Sequence, residues 1–409
     1  MASLIPVTTT RIGEHLPLLD LLTSDSPLSW VRNGEGLVGW GVHASTTVSG
    51  KDRFEKAREW WHRQLETFSV ENSVHGSGTG PVLFTSFSFD RNEESVLVIP
   101  QVVVGQKGLQ SWITWIGDSA QPSLPETTEN VAQGPFTFGD GSITTSAWKE
   151  RVAEAIIRIE KSGVDKVVLA RDLVATTSTT IDARPILKKL ADEYPSTWTF
   201  AVAGLVGATP ELLLRLSRGM VTSRVLAGTI PKTGDDAKDL ALAASLARSS
   251  KDLEEHEYAV RSVAEALEPF CSSTNVPESP FVLHLANVMH LATDVTGALS
   301  ETKQRVDAFS LLKSLHPSAA VCGTPRNIAF DIIDEIEGMN RGRYAGPVGW
   351  IDASGDGELG IALRTGQISG KEIRIYAGCG IVAGSNPEKE LEESAAKMIP
   401  MKSALQHHS

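Results

Sequence analysis

From about residue 146 onward, apolar β-branched stretches arrive as neighbouring pairs, and that ordering limits the fold more than any other feature. "ELLLRLSRGMVTSRVLAG" (211–228) is two such stretches meeting at a turn over Ser217–Gly219. "GRYAGPVGWID" (342–352), "LGIALRTGQI" (359–368) and "EIRIYAGCGIV" (372–382) follow one another as three strands. "KVVLARDLVATTS" (166–178), "TWTFAVAG" (197–204) and "VLHLANVMHLATDVTGAL" (282–299) also read as strands. Helices fall between them. "SAWKERVAEAIIRIEKSG" (146–163) puts Val152, Ala155, Ile156 and Ile159 on one face and stops at a glycine. "ARPILKKLADEY" (183–194), the run 236–270 with a break near Ser249–Ser250, "RVDAFSLLKSL" (305–315) and "NPEKELEESAAKMIPMKSAL" (386–405) are further helices. Antiparallel-looking strand pairs with interspersed helices, and no internal repeat, predict an α+β fold over a doubly wound parallel sheet.

The first 145 residues are less patterned. "PVLFTSFSFD" (81–90), "ESVLVIPQVVVG" (94–105) and "SWITWIG" (111–117) read as strands, and the Pro-, Ser-, Thr- and Gly-rich segment 118–143 as a long surface loop.

The formal net charge of −12 carries no Lys/Arg block of the kind that binds nucleic acid. A small anionic substrate would be repelled by such a chain unless a local cation or a bound metal received it. Cys271, Cys322 and Cys379 are far apart, with no CxxC spacing, so neither a disulfide framework nor a zinc site is expected. A reducing compartment fits, and with no signal peptide at the start and no apolar run near 18 residues, the expectation is a cytoplasmic protein without a membrane span.

Two acidic runs stand out. "SSKDLEEHEYAVR" (249–261) places Asp252, Glu254, Glu255 and Glu257 around His256 on a helical stretch, where like charges three and four apart repel. In "PEKELEES", Glu390 and Glu393 repeat the three-residue spacing of Asp252 and Glu255, with Lys397 four residues further on. Either these faces are solvated, or two helices offer carboxylate pairs to one hard divalent cation such as Mg²⁺. Lys166, at the start of an apolar strand, is either a strand-edge lysine that blunts pairing or a general base. Glu211, after the Gly-Ala-Thr-Pro turn, is either a turn residue facing water or a carboxylic acid made a proton donor by burial. "VLAGTIPK", "AVCGTPR" and "YAGCGIVAGSNP" are glycine-rich turns whose N–H groups can receive a carboxylate.

"KVVLAR", "GATPELLLR", "LAGT", "KDLEEHEYAV", "VMHLATDVTG", "LHPSAAVCGTP", "RGRYAGPVGWID", "IALRT" and "YAGCGIVAGSNPEKELEES" occur together and in this order. In that set the chain resembles the chorismate-utilising enzymes, from about residue 146 to about 405, with "FTSFSFD" similar to the family's N-terminal portion. The resemblance implies a single 1–409 chorismate-utilising domain. It would be an α+β fold with antiparallel sheets in its core, helices outside and a deep cleft. It implies Glu255 and Glu393 as direct Mg²⁺ ligands and Asp252 and Glu390 as the second carboxylate of each pair, with Glu254 and Glu257 left in solvent. Lys166 matches the base that activates water in isochorismate and salicylate synthases. Ala227 stands where aminodeoxychorismate synthases carry a nucleophilic lysine.

The implied reaction is addition of water at C2 of chorismate with loss of the C4 hydroxyl, Lys166 as base and Glu211 as acid, giving isochorismate for siderophore or menaquinone biosynthesis. The implied alternative eliminates pyruvate afterwards to leave salicylate; an ammonia-using, anthranilate-forming activity fits the lysine less well. Arg364, Tyr376 and the N–H groups near Gly378 and Gly380 match positions holding the pyruvyl carboxylate, Thr229 and His290 the ring end, and Thr324 and Lys397 further polar contacts. His290 on an apolar strand can equally be a core histidine. Lys232 in "GTIPK" and Thr209 in "GATPE" depart from the arginine and serine common there. A water nucleophile needs no amidotransferase partner, and nothing in the chain demands more than a monomer. A non-catalytic binding protein with a degenerate site would have lost a key residue; Lys166, Glu211, Glu255 and Glu393 are all present.

Overall fold

A computed structural model of the protein describes residues 3–13, 15–126, 134–300 and 306–406. Its described helices, in chain order, are α1 (Arg53–Leu65), α2 (Thr145–Ser162), α3 (Ala183–Glu193), α4 (Asp236–Leu246), α5 (Ser250–Leu267), α6 (Ala308–Leu315), α7 (Arg326–Ile336) and α8 (Pro387–Leu405). Two large sheets lie between them. In one, Lys166–Thr176, Glu372–Ile381, Thr365–Ser369, Leu205–Thr209, Trp198–Val202 and Leu28–Arg32 are successive neighbours. In the other the order is Val288–Leu299, Met220–Pro231, Leu212–Ser217, Gly357–Ile361, Pro347–Asp352 and Val82–Ser86. Strands from both ends of the chain are thus interleaved in each sheet. Among the described pairings only Ile5–Ile12 with Phe68–Asn72 is parallel.

The facing sheets bury an aromatic layer that includes Trp30, Phe84, Trp112, Trp198, Phe200 and Trp350. A second core joins α2, α5, α6 and α7 to the sheets, through residues such as Trp148, Val260, Leu312 and Ile333. A third places α3 and α8 over Ile373, Ile375 and Ala377. This is a sheet sandwich with helices outside, as the strand pairing predicts.

Several segments differ from the sequence reading. "VLHLANVMHLATDVTGAL" is not one strand but a hairpin: Phe281–His284 turns at Leu285, whose N–H donates to Val288 O (2.9 Å), and returns as Val288–Leu299. "LGIALRTGQI" is also two strands, and they belong to different sheets. Gly357–Ile361 lies in one, Thr365–Ser369 in the other, and the chain crosses at Ala362–Arg364. Helices α1 and α7 were not expected. The buried residues of α7, Ala329, Ile332, Ile333 and Ile336, follow a helical period, and α1 buries Phe54, Ala57 and Trp61 in the core with Trp60 and Leu65 packed beside them. The break near Ser249 is real: α4 ends at Leu246, and Ser249 caps α5 by accepting from Asp252 N–H at 3.3 Å. The expected loop 118–143 lies partly outside the described residues, at 127–133; its described end forms the short strand Thr137–Asp140. Among the described residues no helix is long and apolar enough to cross a membrane.

Candidate active site

Two of the places where the chain passes from one sheet to the other are adjacent. Leu205–Thr209 crosses to Leu212–Ser217 through Pro210 and Glu211, and Gly357–Ile361 crosses back through Arg364. The crossings brace each other: Ile361 N–H donates to Glu211 O (3.1 Å) and Ala208 N–H to Arg364 O (3.2 Å). Arg364 is held at φ +50°, uncommon for a side-chain-bearing residue and of the kind kept where surroundings over-determine it. Glu211 and Arg364 thereby enter one cavity, which is also lined by Lys166, Thr229, Asp252, Glu255, His290, Tyr376, Gly378, Gly380, Glu390, Glu393 and Lys397. Of the catalytic, metal and substrate residues that the resemblance implies, only Thr324 is not on its wall. Thr324 lies opposite Lys166 in the strand ladder, so it borders the residue and not the cavity.

Lys166 is buried rather than a solvent-facing edge lysine, and its Nζ lies 2.8 Å from Glu255 Oε1. Their meeting depends on Gly380. A Cβ there would stand 2.4 Å from Lys166 Cε and 2.9 Å from Glu255 Oε1, so any larger residue would displace the pair. Gly228 plays the same part for Asp252. Its φ is +76°, and a Cβ would come within 3.1 Å of the Asp252 Cβ. On α5, Asp252 and Glu255 face the cavity while Glu254 and Glu257 are exposed. His256 turns inward to Thr293 Oγ1 (2.7 Å), and burial pushes its pKa down to about 4, so it is neutral.

On α8, Glu390 is buried, and Glu393 pairs with Lys397 at 2.6 Å. Lys397 also donates to Gly378 O at 3.0 Å. Burial works against the Lys397 ammonium, but the Glu393 carboxylate outweighs it and raises the pKa above the ordinary lysine value. Cys379 Sγ lies with carboxylate oxygens of Glu390 and Glu393, all within 4.8 Å of one another. Burial holds that thiol well above its usual pKa, and Sγ is occupied in donating to Glu390 O (3.3 Å). The donor set is therefore carboxylate oxygen. Four carboxylates (Asp252, Glu255, Glu390, Glu393) face two lysines at this end of the cavity, a composition that suits a hard dication.

The other end has the opposite character. Burial pushes the Glu211 carboxyl up to about 8, against the pull of Lys166, Lys397 and Arg364, so it keeps its proton at neutral pH. His290 is driven well below its usual pKa by burial and then by Arg364. Arg364 Nη2 can only donate, so its 3.4 Å approach marks Nε2 of the neutral ring as the acceptor. Nδ1–H then donates to Thr229 Oγ1 at 3.0 Å. Among the described residues no carboxylate forms an ion pair with buried Arg364.

The sequence reading did not single out Tyr344 or Arg341, although both lie in the quoted string "RGRYAGPVGWID". Tyr344 stacks on Tyr376 with centroids 5.1 Å apart and planes 7° from parallel. Its hydroxyl takes the space that a Cβ on Gly378 would need, at 3.0 Å. Arg341 is paired with Glu337 at 2.5 Å, and donates to Val168 O and Val321 O at 2.8 Å, so it fixes the wall. A string of residue types does not reveal that Tyr344 meets Tyr376 or that Arg341 meets Val168, because these contacts join segments distant in sequence.

A family model described as "Chorismate binding enzyme" matches residues 28–406. The chain is 34% identical over 403 residues to the isochorismate synthase MenF of Bacillus subtilis, covering 90% of this chain and 85% of that one. It is 33% identical over 360 residues to the isochorismate synthase DhbC of the same organism, covering 84% and 86%. The crystal structure of DhbC from Bacillus anthracis matches with a TM-score of 0.80 at 30% identity, over 95% of this chain and 98% of that one. MenF from Escherichia coli matches in fold, with a TM-score of 0.82 at 23% identity over 98% and 95%. The interleaved sheets, the cavity at their crossings and these likenesses together establish that the chain belongs to the chorismate-binding enzyme family.

Proposed function

We propose that this chain is an isochorismate synthase, dependent on Mg²⁺, that moves the hydroxyl of chorismate from C4 to C2. One observation carries the reading: a buried lysine and a protonated carboxylic acid line one cavity, between a carboxylate-rich end and an arginine without a carboxylate partner. Glu255 and Glu393 would hold Mg²⁺, with Asp252 and Glu390 as the second carboxylates. Bound there, the ion supplies the positive charge that lets an acidic protein receive a dianion.

The protein's own groups account for the chemistry. Lys166 accepts a proton from the water that bonds to C2. The ring double bonds shift, the C4–O bond breaks, and Glu211 gives its proton to the departing hydroxyl, which leaves as water. Arg364 and Tyr376 receive the pyruvyl carboxylate, with the backbone N–H groups near Gly378 and Gly380 beside them. Thr229 and His290 line the ring end; His290, neutral, offers hydrogen bonds without adding charge. Lys397 keeps Glu393 oriented. Thr324 acts through Lys166, as its neighbour in the ladder.

The test is a product assay with chorismate and Mg²⁺, with and without EDTA, followed by chromatography. Isochorismate in equilibrium with chorismate, abolished by EDTA, is expected. Salicylate with stoichiometric pyruvate would overturn the product assignment, and no turnover would overturn the site.

A further inference from the structure

A second cavity, of about 530 Å³, lies where α1 and α7 begin, beside the turn that follows α6. It shares a wall with the first. Arg341, which lines the active-site cavity, sits 4.1 Å over the ring of Phe89, which lines this one. The segment after His316–Pro317, which borders the second cavity, continues to Ala320 and Val321 in the first.

Five residues on its wall are cationic (Lys51, Arg53, Arg91, Lys313 and Arg326) and one, Asp331, is anionic. The chain as a whole carries −12, so this is a local reversal of sign. Lys313 is taken up by an ion pair with Glu55. Arg53 is different. It is only 5% exposed, and among the described residues its guanidinium has no hydrogen-bond or ion-pair partner; its Nε is both buried and unsatisfied. Its one contact of note is the ring of Phe54, 4.6 Å from Cζ. Burial lowers its pKa only to about 10, with Asp90 and Glu55 opposing and Arg91 assisting, so it remains a cation at neutral pH. His316 adds no charge, since burial and then Arg53 push it down to about 3. Arg53 and Arg326 are the first residues of α1 and α7; α1 starts beside the carboxylates of Asp52 and Glu55, whereas α7 has neither a side-chain cap nor an acid in its first turn, so its positive end is here. Flat apolar surface completes the wall: Phe330 is partly exposed, and is backed by Phe89, which is buried between it and Arg341.

We propose that this cavity is a second ligand site, for a small organic anion with a carboxylate or phosphate on a flat ring. The anionic group would meet Arg53 and the start of α7, and the ring would lie along Phe330. Buried arginine without an acceptor leaves donors unsatisfied, and an oxyanion is the group whose geometry it fits.

The experiment is calorimetric titration of the full-length protein with phenyl phosphate, benzoate and inorganic phosphate at low ionic strength. Wild type is compared with Arg364→Gln, which alters only the active-site cavity, and with Arg53→Gln and Arg91→Ser. Arg91 is exposed, so its variant tests the site without risk to folding. Expected is binding of a ring-bearing anion that survives Arg364→Gln. It should weaken about tenfold in Arg53→Gln and a few-fold in Arg91→Ser. Phenyl phosphate against benzoate then decides between phosphate and carboxylate. No binding of either, or binding lost in Arg364→Gln and unchanged in Arg53→Gln and Arg91→Ser, would overturn the proposal. Inorganic phosphate binding as well as phenyl phosphate would overturn the role given to the ring.

Discussion

In the active-site cavity Lys166 meets Glu255, Lys397 meets Glu393 and Arg341 meets Glu337. In the basic cavity behind it, Arg53 is as deeply buried and meets no acceptor. The contrast separates two uses of buried charge. A paired ion is a positioning device: each partner fixes the other, and breaking the pair is costly because it strands a desolvated charge. One without a carboxylate partner keeps its charge free to meet that of a ligand. Arg364 shows that both kinds can occur in one cavity, since every cation near it is matched while it is not.

The largest effect expected is on the paired side. Lys166→Ala removes the proposed base and leaves Glu255 without its lysine, and should reduce isochorismate formation by about 10³–10⁴-fold. Calorimetric binding of chorismate in the presence of Mg²⁺ should survive. A variant that still turns over at near the wild-type rate would end the assignment of Lys166. Glu211→Gln comes next, with a loss of about 10²–10³-fold, because an amide cannot protonate the departing hydroxyl. The pH profile gives a sharper readout. With its carboxyl raised to about 8, Glu211 keeps its proton below that value and loses it above, so wild-type kcat should fall on the alkaline side near pH 8. The same group favours the folded state below the ordinary carboxylate pKa. That contribution is lost as pH rises toward 8, because the folded chain holds a proton the unfolded chain has released. Glu211→Gln should flatten the stability slope over this range, and an unchanged slope in urea titrations would sink the raised pKa.

What could be read from the sequence was local chemistry, and what could not was distance. Lys166, Glu211 and the two carboxylate pairs stand in ordered strings, so their roles could be named. That Lys166 would be satisfied by Glu255 could not, because 89 residues separate them and only the fold joins them. The strand reading of "LGIALRTGQI" failed for a physical reason. A strand that leaves one sheet for the other keeps its apolar composition across the crossing, and the change of direction is carried by backbone angles such as that of Arg364. Helices α7 and α1 both carry a helical apolar period, Ala329, Ile332, Ile333 and Ile336 in one and Phe54, Ala57, Trp61 and Leu65 in the other; in α1 it is set among many charged residues. The basic cavity was hidden most completely. Its cations come from residues 51, 53, 91, 313 and 326, so no run of Lys and Arg appears, and the net charge points the other way.

Stability measurements compare the two kinds of charge directly. Arg341 and Glu337 are each 3% exposed and bonded to one another. Arg341→Met strands the Glu337 carboxylate and should destabilise the protein by about 3–5 kcal/mol in urea titrations. Arg53→Met removes a buried cation that has no partner to strand, and should change stability by no more than about 1 kcal/mol, with a gain as acceptable as a small loss. Equal losses at the two sites would mean that Arg53 is held by the fold much as Arg341 is, and the contrast between the cavities would be gone.

The smallest effect concerns Thr324, which tells a wall residue from a neighbour of the wall. Its backbone pairs with Lys166, and its side chain does not line the cavity. Thr324→Val keeps the β-branched shape and the strand ladder while removing the hydroxyl. If Thr324 acts only through Lys166, kcat and KM should both stay within about twofold of wild type, a change of less than about 0.5 kcal/mol in transition-state stabilisation. If the hydroxyl instead touches chorismate, KM should rise about tenfold with kcat preserved, the pattern of a lost ground-state contact. That result would extend the active-site cavity past the Lys166 strand, toward the segment that separates it from the basic one.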